Sequence, residues 1–153
     1  VKARLAASVV LALGLVVGAS GCSMITYQAT TEHYDPSDGV SVDVGDLDVR
    51  NALVVSEDGV DGNLVLTVVN TSDEDAELGV QVGEGGGETL TIEVGAGESV
   101  SLGDDEEPLL LEGIDTQPGG LLPIFFQYGS AEGLQKLVPV LDGRQPEYAD
   151  LVP

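Results

Sequence analysis

The chain contains no tryptophan, two phenylalanines and a single histidine, methionine and cysteine among its 153 residues. One cysteine cannot close an intrachain disulfide. A Ser–His–Asp or Cys–His relay needs a positioned imidazole, and the lone His33 falls in a polar segment ahead of the first patterned run. Paired carboxylates can hydrolyse glycosides, but among 27 acidic residues some pairs lie close by chance. So few aromatics also leave little on which a sugar could stack. The residue inventory therefore points away from an enzyme.

Basic residues are equally scarce, five against 27 acids. None of the acids precedes Cys22, whereas Lys2 and Arg4 do. From Cys22 onward the acids face only Arg50, Lys136 and Arg144, a formal charge of −24. Such a chain is repelled by phosphate backbones and anionic headgroups, which excludes nucleic acid as a partner. High net charge alone would also suit disorder. Here 42% of residues are hydrophobic and they are patterned, so a packed core is expected, built of Val, Leu and Ile.

What is present at the N-terminus is a short basic start, an apolar run from Leu5 to Val17, and Gly18-Ala19-Ser20-Gly21 before Cys22. That layout is the one of a secretory signal peptide, here residues 1–21. Ser20, Gly21 and Cys22 match a lipobox, with Ala19 where leucine is commonest. The expected chemistry is acylation of the Cys22 thiol, with diacylglyceryl and palmitate-type chains, after cleavage before it. Two acyl chains give stable membrane attachment where one is marginal. The expected location is the outer face of the cytoplasmic membrane or the cell envelope, with the membrane as a partner through the lipid. Residues 22–39 read as a polar tether, whose seventeen residues after Cys22 could extend about 55 Å.

From Val40 the pattern becomes that of short strands. Val40, Val42 and Val44 alternate with polar residues, the period of a half-buried strand. Further strands are predicted at 47–56, 63–70, 76–82, 90–94, 100–102, 109–111, 121–128 and 137–141. Asp-Gly pairs and the 83–88 GEGGGE stretch supply turns between them. Pro139 marks the last strand as an edge or a bulge, and 131–137 allows one helical turn. The fold class expected is all-β, an immunoglobulin- or cupredoxin-like antiparallel β-sandwich of seven to nine short strands over residues 40–141. A polar C-terminal tail, 142–153, follows.

Residues 62–78 (GNLVLTVVNTSDEDAEL), 94–102 (VGAGESVSL) and 119–141 resemble the PCu(A)C family of exported copper chaperones. With the lipobox and the 45–52 strand (GDLDVRNA), the chain is similar to the LpqE-like lipoproteins of actinobacteria. The resemblance implies a sandwich displayed outside the cytoplasmic membrane. It also implies where copper would be held, by two His and two Met, which suit Cu(I). One His-x-Met pair would fall on 107–114 (EPLLLEGI), where Pro108 and Leu110 stand instead. The other ligands would lie in the loop here reduced to GEGGGE. Met24 and His33, both in the tether, cannot supply four ligands, so no metal ligand and no cofactor is expected.

The remaining candidates are acidic runs. Asp104-Asp105-Glu106-Glu107 lacks the ligand spacing of a calcium loop and reads as a solvated turn. Asp35 to Gly39 and Asp73-Glu74-Asp75 read as turns as well. The expected function is that of an envelope interaction or accessory module with an unknown envelope protein partner. The edge near Pro139 and the tail around Tyr148 are its candidate contact surfaces. The alternative is a lipoprotein that handles copper or a carboxylate-bound cation.

Overall fold

A computed structural model describes residues 2–20, 34–83, 88–129 and 131–153. The chain divides into two compact units, Val1–Tyr34 and Asp35–Pro153. In the first, Lys2–Ser20 form helix α1, with no acid in its first turn and Ser8 Oγ donating to the Arg4 carbonyl. Its side chains from Lys2 to Leu15 are exposed. No helix among the described residues is long and apolar enough to cross a membrane.

The second unit is built from nine strands: β1 (Val40–Val44), β2 (Leu47–Val55), β3 (Gly62–Asn70), β4 (Ala76–Val82), β5 (Thr89–Val94), β6 (Ser99–Leu102), β7 (Leu109–Leu111), β8 (Leu121–Tyr128) and β9 (Leu134–Leu141). The hydrogen-bonded order is β5-β4-β8-β9-β2-β3-β6, with β1 also on β2 and β7 also on β3. One layer holds β1, β2, β3, β6 and β7, the other β4, β5, β8 and β9. The all-β sandwich expected from the strand spacing is therefore the fold, and it closes partway toward a barrel.

The closure runs through β9, and here the structure departs from the sequence reading. No helical turn forms over 131–137; β9 begins at Leu134 and pairs antiparallel with β8 as far as Pro139. It then runs parallel to β2 at Val140 and Leu141, the one parallel pairing between the nine strands. Val140 N–H donates to the Gly120 carbonyl on the β8 side. Successive strand N–H groups point to opposite edges, so the missing N–H of Pro139 falls on the far side, just before pairing with β2 starts. Pro139 thus sits at an edge of one layer within a strand that is central to the whole.

Alternation sorts the side chains. In β3, Leu64, Leu66 and Val68 point inward, and they meet Leu78 and Val80 of β4, Leu122, Ile124 and Phe126 of β8, and Val138 and Val140 of β9 in one buried cluster. Each such side chain contributes about 1.5–3 kcal/mol by leaving water. Every member of the two clusters, with the partly buried side chains packed on them, lies between Val40 and Val152, so the sandwich carries its whole core and is a self-sufficient folding unit.

Strand β2 breaks the alternation. Leu47 and Val49 are buried, then Ala52, Leu53, Val54 and Val55 are buried in succession. Asn51 takes a positive φ of 51°, and the register against β3 shifts between Arg50 and Leu53. Asn tolerates this left-handed bulge conformation better than most residues. Its Oδ1 also accepts from Gly39 N–H at 2.9 Å. Beyond the bulge Ala52 and Val54 face the core, while Leu53 and Val55 face outward into a second cluster with Tyr148, Val65, Leu141, Leu151 and Val152.

That second cluster makes residues 142–153 part of the domain rather than a free tail. Tyr148, a candidate contact residue by sequence, is only 9% exposed. Its hydroxyl donates to Asp38 Oδ2, and Asn63 Nδ2 donates to the Leu151 carbonyl. The last residues of the predicted tether, Asp35 to Gly39, likewise belong to the compact unit.

Candidate functional site

The positions at which the family resemblance places metal ligands lie on β7 and on the β4–β5 connection, which are far apart in sequence. Pairing of β7 with β3 places Leu110 opposite Asn63. Pairing of β4 with β5 brings Gln81 opposite Thr89 and so closes the hairpin that contains GEGGGE. The two elements meet around a cavity of about 420 Å3 lined by Val82, Glu88, Leu90, Leu110, Glu112 and Gly113. Residues 84–87 of the hairpin lie outside the described residues. Pro108 does not share this cavity. It lines a different one, of about 570 Å3, with Asp104, Asp105, Glu106, Glu107 and Asp150.

The donor set of the Leu110 cavity is three aliphatic side chains and two carboxylates. Cu(I) prefers thioether, thiolate and imidazole donors, while carboxylates suit hard cations. The residues around Leu110 therefore do not fit a copper ion. Among the described residues no group of three or more His, Cys, Asp or Glu is placed to hold a metal. Cys22, the expected lipidation residue, and the two soft donors Met24 and His33 lie outside the described residues. Glu88 and Glu112 were not singled out by the sequence. In a chain with 27 acids, two ordinary loop glutamates carry no local signal that they share a cavity.

The acidic runs have mostly backbone partners. Residues 104–107 form an exposed turn between β6 and β7, closed by Gly103 N–H on the Glu106 carbonyl and Glu106 N–H on the Ser101 carbonyl. Asp75 Oδ1 accepts from Ala96 N–H, and Asp58 Oδ1 from Val60 N–H. The Asp75 and Asp58 carboxylates each tie a loop.

Asn70, at the end of β3, is 1% exposed and has every polar atom engaged. Its Nδ2 donates to the carbonyls of Glu74, Val94 and Gly95. Its Oδ1 accepts from Ser72 N–H and Ser72 Oγ. One side chain thus fastens the β3–β4 turn to the end of β5. Ser56, also buried, accepts from Gly59 N–H and donates to the Asp61 carbonyl. Both are structural polar residues whose hydrogen-bonding capacity is used within the fold.

A larger cleft, about 740 Å3, lies between the Asp142–Arg144 turn and Gln117-Pro118, with Glu57, Ala149 and Val152 completing it. Its one cation, Arg144, is paired with Asp142 at 3.2 Å. Tyr148 is shifted in acidity. Burial, then its hydrogen bond to Asp38 and the negative charges of Asp38 and Glu147, push its phenol up to about 12. A tyrosine so protected holds its proton and is no base or nucleophile at neutral pH.

No protein-family model and no curated protein matches the chain. Among solved structures, the apo PmoF2 PCuAC domain is similar over 69% of this chain and 98% of that domain, with a TM-score of 0.57 at 14% sequence identity. A likeness at that identity bears on the fold. The chain folds as a PCuAC-like β-sandwich.

Proposed function

We propose that this chain is an exported lipoprotein, held to the membrane by acylated Cys22, whose PCuAC-like sandwich serves as a non-catalytic interaction module in the cell envelope. In this it is similar to the LpqE-like lipoproteins of actinobacteria. The observation that carries the reading is the lining of the Leu110 cavity. Aliphatic Val82, Leu90 and Leu110 with Glu88 and Glu112 occupy the place where the resemblance puts soft copper ligands. A protein that keeps the scaffold and replaces its ligands is left with its surfaces as the means of acting.

The anchor and the fold fit one another. With Asp35 onward belonging to the sandwich, the twelve residues 23–34 are the spacer, at most about 40 Å when extended. The domain's negative charge would hold it off an anionic bilayer.

Two measurements test the reading. Intact mass of membrane-extracted protein should show a diacylated Cys22, and Cys22→Ala should move the chain to the soluble fraction. An unmodified, soluble wild-type chain would sink the anchoring claim. Because Cys22, Met24 and His33 all precede residue 35, Cu(I) titration of the 35–153 unit isolates the sandwich. Weak binding, easily removed by a competing chelator, is expected. Affinity on the order of nanomolar would favour a metal-handling role instead. The shared cavity of Glu88 and Glu112 makes a carboxylate-bound cation the specific form of that second reading.

A further inference from the structure

The outer face of the β4–β5–β8–β9 layer is chemically divided. Register places Leu121 opposite Pro139, Pro123 opposite Leu137, and Phe125 opposite Gln135. All are on the side away from the core, because Leu122, Ile124 and Phe126 alternate with them and are buried. Leu121 is 56% exposed and Leu137 54%. Five apolar residues therefore form one contiguous block on β8 and β9, strands that carry no acid at all in a domain dense with acids.

The same face ends differently on β4 and β5. Glu77 and Glu93 are the only acids on these four strands, and they stand directly opposite one another. Both are exposed and outward-facing. Like charges directly opposed across a ladder destabilise it. Elsewhere the fold answers that problem: Asp43 and Asp48 are also directly opposed, and Arg50 bridges both. Among the described residues neither Glu77 nor Glu93 has a cationic partner. Lys136, the one cation on the four strands, has the parity of the inward residues, opposite Ile124. Between the two ends Gly79 leaves a shallow groove of about 430 Å3 with Glu77, Thr89, Thr91 and Gln127 on its walls.

We infer that this face is a docking surface for a partner polypeptide that presents an apolar strip flanked by Lys or Arg. The apolar strip covers Leu121, Pro123, Phe125, Leu137 and Pro139, and the flanking cation inserts between Glu77 and Glu93, as Arg50 does between Asp43 and Asp48. Depletion of charge around an apolar block with exposed Leu121 and Leu137 and half-buried Pro123, Phe125 and Pro139 is the composition of an interface centre. The acid pair selects the sign of the rim. Gln81 is opposite Phe125, and the four steps from it to Glu77 set the spacing, since about 3.4 Å per residue puts the cation about 14 Å from the level of Phe125. A second copy of this chain offers few cations and brings a further strongly negative domain. An anionic membrane surface is repelled for the same reason.

This inference deepens the interaction-module reading and rests on it, but its test is separate from that of the Cys22 anchor. The 35–153 unit is titrated with a fluorescent amphipathic helical peptide bearing a Leu stripe bordered by Lys, and with the same pattern bordered by Glu. Saturable binding of the Lys peptide alone is expected. Leu137→Ser or Leu121→Ser should each weaken it about fivefold, and E77Q/E93Q about tenfold. Asp104→Asn with Asp105→Asn removes the same charge from the far turn and should change it less than about twofold.

Several results would overturn the inference. One is an equal loss from the Asp104/Asp105 pair, which would mean unspecific charge attraction. Another is indifference to the leucine substitutions, or no binding of the Lys peptide. A dimer in sedimentation that Leu137→Ser dissociates would identify a second copy as the occupant. Binding to neutral phosphatidylcholine vesicles that Leu137→Ser abolishes would identify a lipid surface. If the peptide binds as expected while Cys22 proves unmodified, the anchoring claim fails and the surface stands.

Discussion

Tyr148 donates a 2.8 Å hydrogen bond from its hydroxyl to Asp38 Oδ2, joining two residues 110 positions apart. The ring of Tyr148 meanwhile covers Leu53 and Val55 on the outer face of β2. The contact therefore closes the N-terminal entry to the sandwich and the C-terminal strap in one place. Tyr148→Phe keeps the packing and should cost about 0.5–1.5 kcal/mol in urea unfolding. Tyr148→Ala opens the cluster and should cost about 3–5 kcal/mol. Equal losses from the two variants would mean the ring contributes little.

The same residue makes alkaline stability specific. Its phenol is raised, chiefly by burial and then by Asp38, to about 12, against an ordinary value of 10.0. The folded state holds the proton more tightly, so this contribution is complete below pH 10.0 and is lost as pH rises toward about 12. Wild type should lose stability across that window, and Tyr148→Phe should lose less. Tyrosinate absorbance should show a component titrating toward about 12 that Tyr148→Phe removes.

Asn70 has no spare hydrogen-bonding atom. Asn70→Ala leaves three carbonyls and the Ser72 donors to find water at the end of β5, and should cost about 2–3 kcal/mol. Amide exchange should rise at Ser72, whose N–H bonds the side chain. Unchanged protection there would contradict the fastening role.

Arg50 bridges two opposed aspartates at the surface, so its contribution is electrostatic and screened. Arg50→Gln should cost about 0.5–1 kcal/mol at low ionic strength and little at 1 M salt. A loss that does not diminish with salt would assign the effect to packing of the arginine stem instead.

Gly45 opens the two-residue connection between β1 and β2 with a φ of 61°, and a Cβ there would collide with the Tyr128 ring. Gly45→Ala combines backbone strain with that collision and should cost about 1–3 kcal/mol. Gly113, also at positive φ but facing open space, should tolerate alanine better. Thermal unfolding of the two variants compares the effects directly.

Strand positions were legible in this sequence because period-2 alternation and Gly/Asp turns are local. β1, β4, β7 and β8 lie where the pattern puts them, and the others within a few residues. Residues 131–141 were read less well. Ala131 to Leu137 has no strict alternation, and only pairing with Leu121–Phe126 makes Leu134–Pro139 a strand. The run Ala52 to Val55 held a readable hint, since four successive apolar residues suit a strand covered on both faces. What covers the second face, Tyr148, stands nearly a hundred residues later in a polar stretch.

Residue chemistry alone therefore settles several things about this protein: an all-β domain with an aliphatic core, a strong negative charge, and a single histidine and a single cysteine. These follow from composition and from spacing within a few residues. Folding alone decides which distant residues meet. It brings Leu110 to the Glu88 hairpin, folds the tail onto β2, and sets Glu77 against Glu93 beside an apolar face. Such juxtapositions depend on strand order and register, and a shift of one residue would send each side chain to the opposite face.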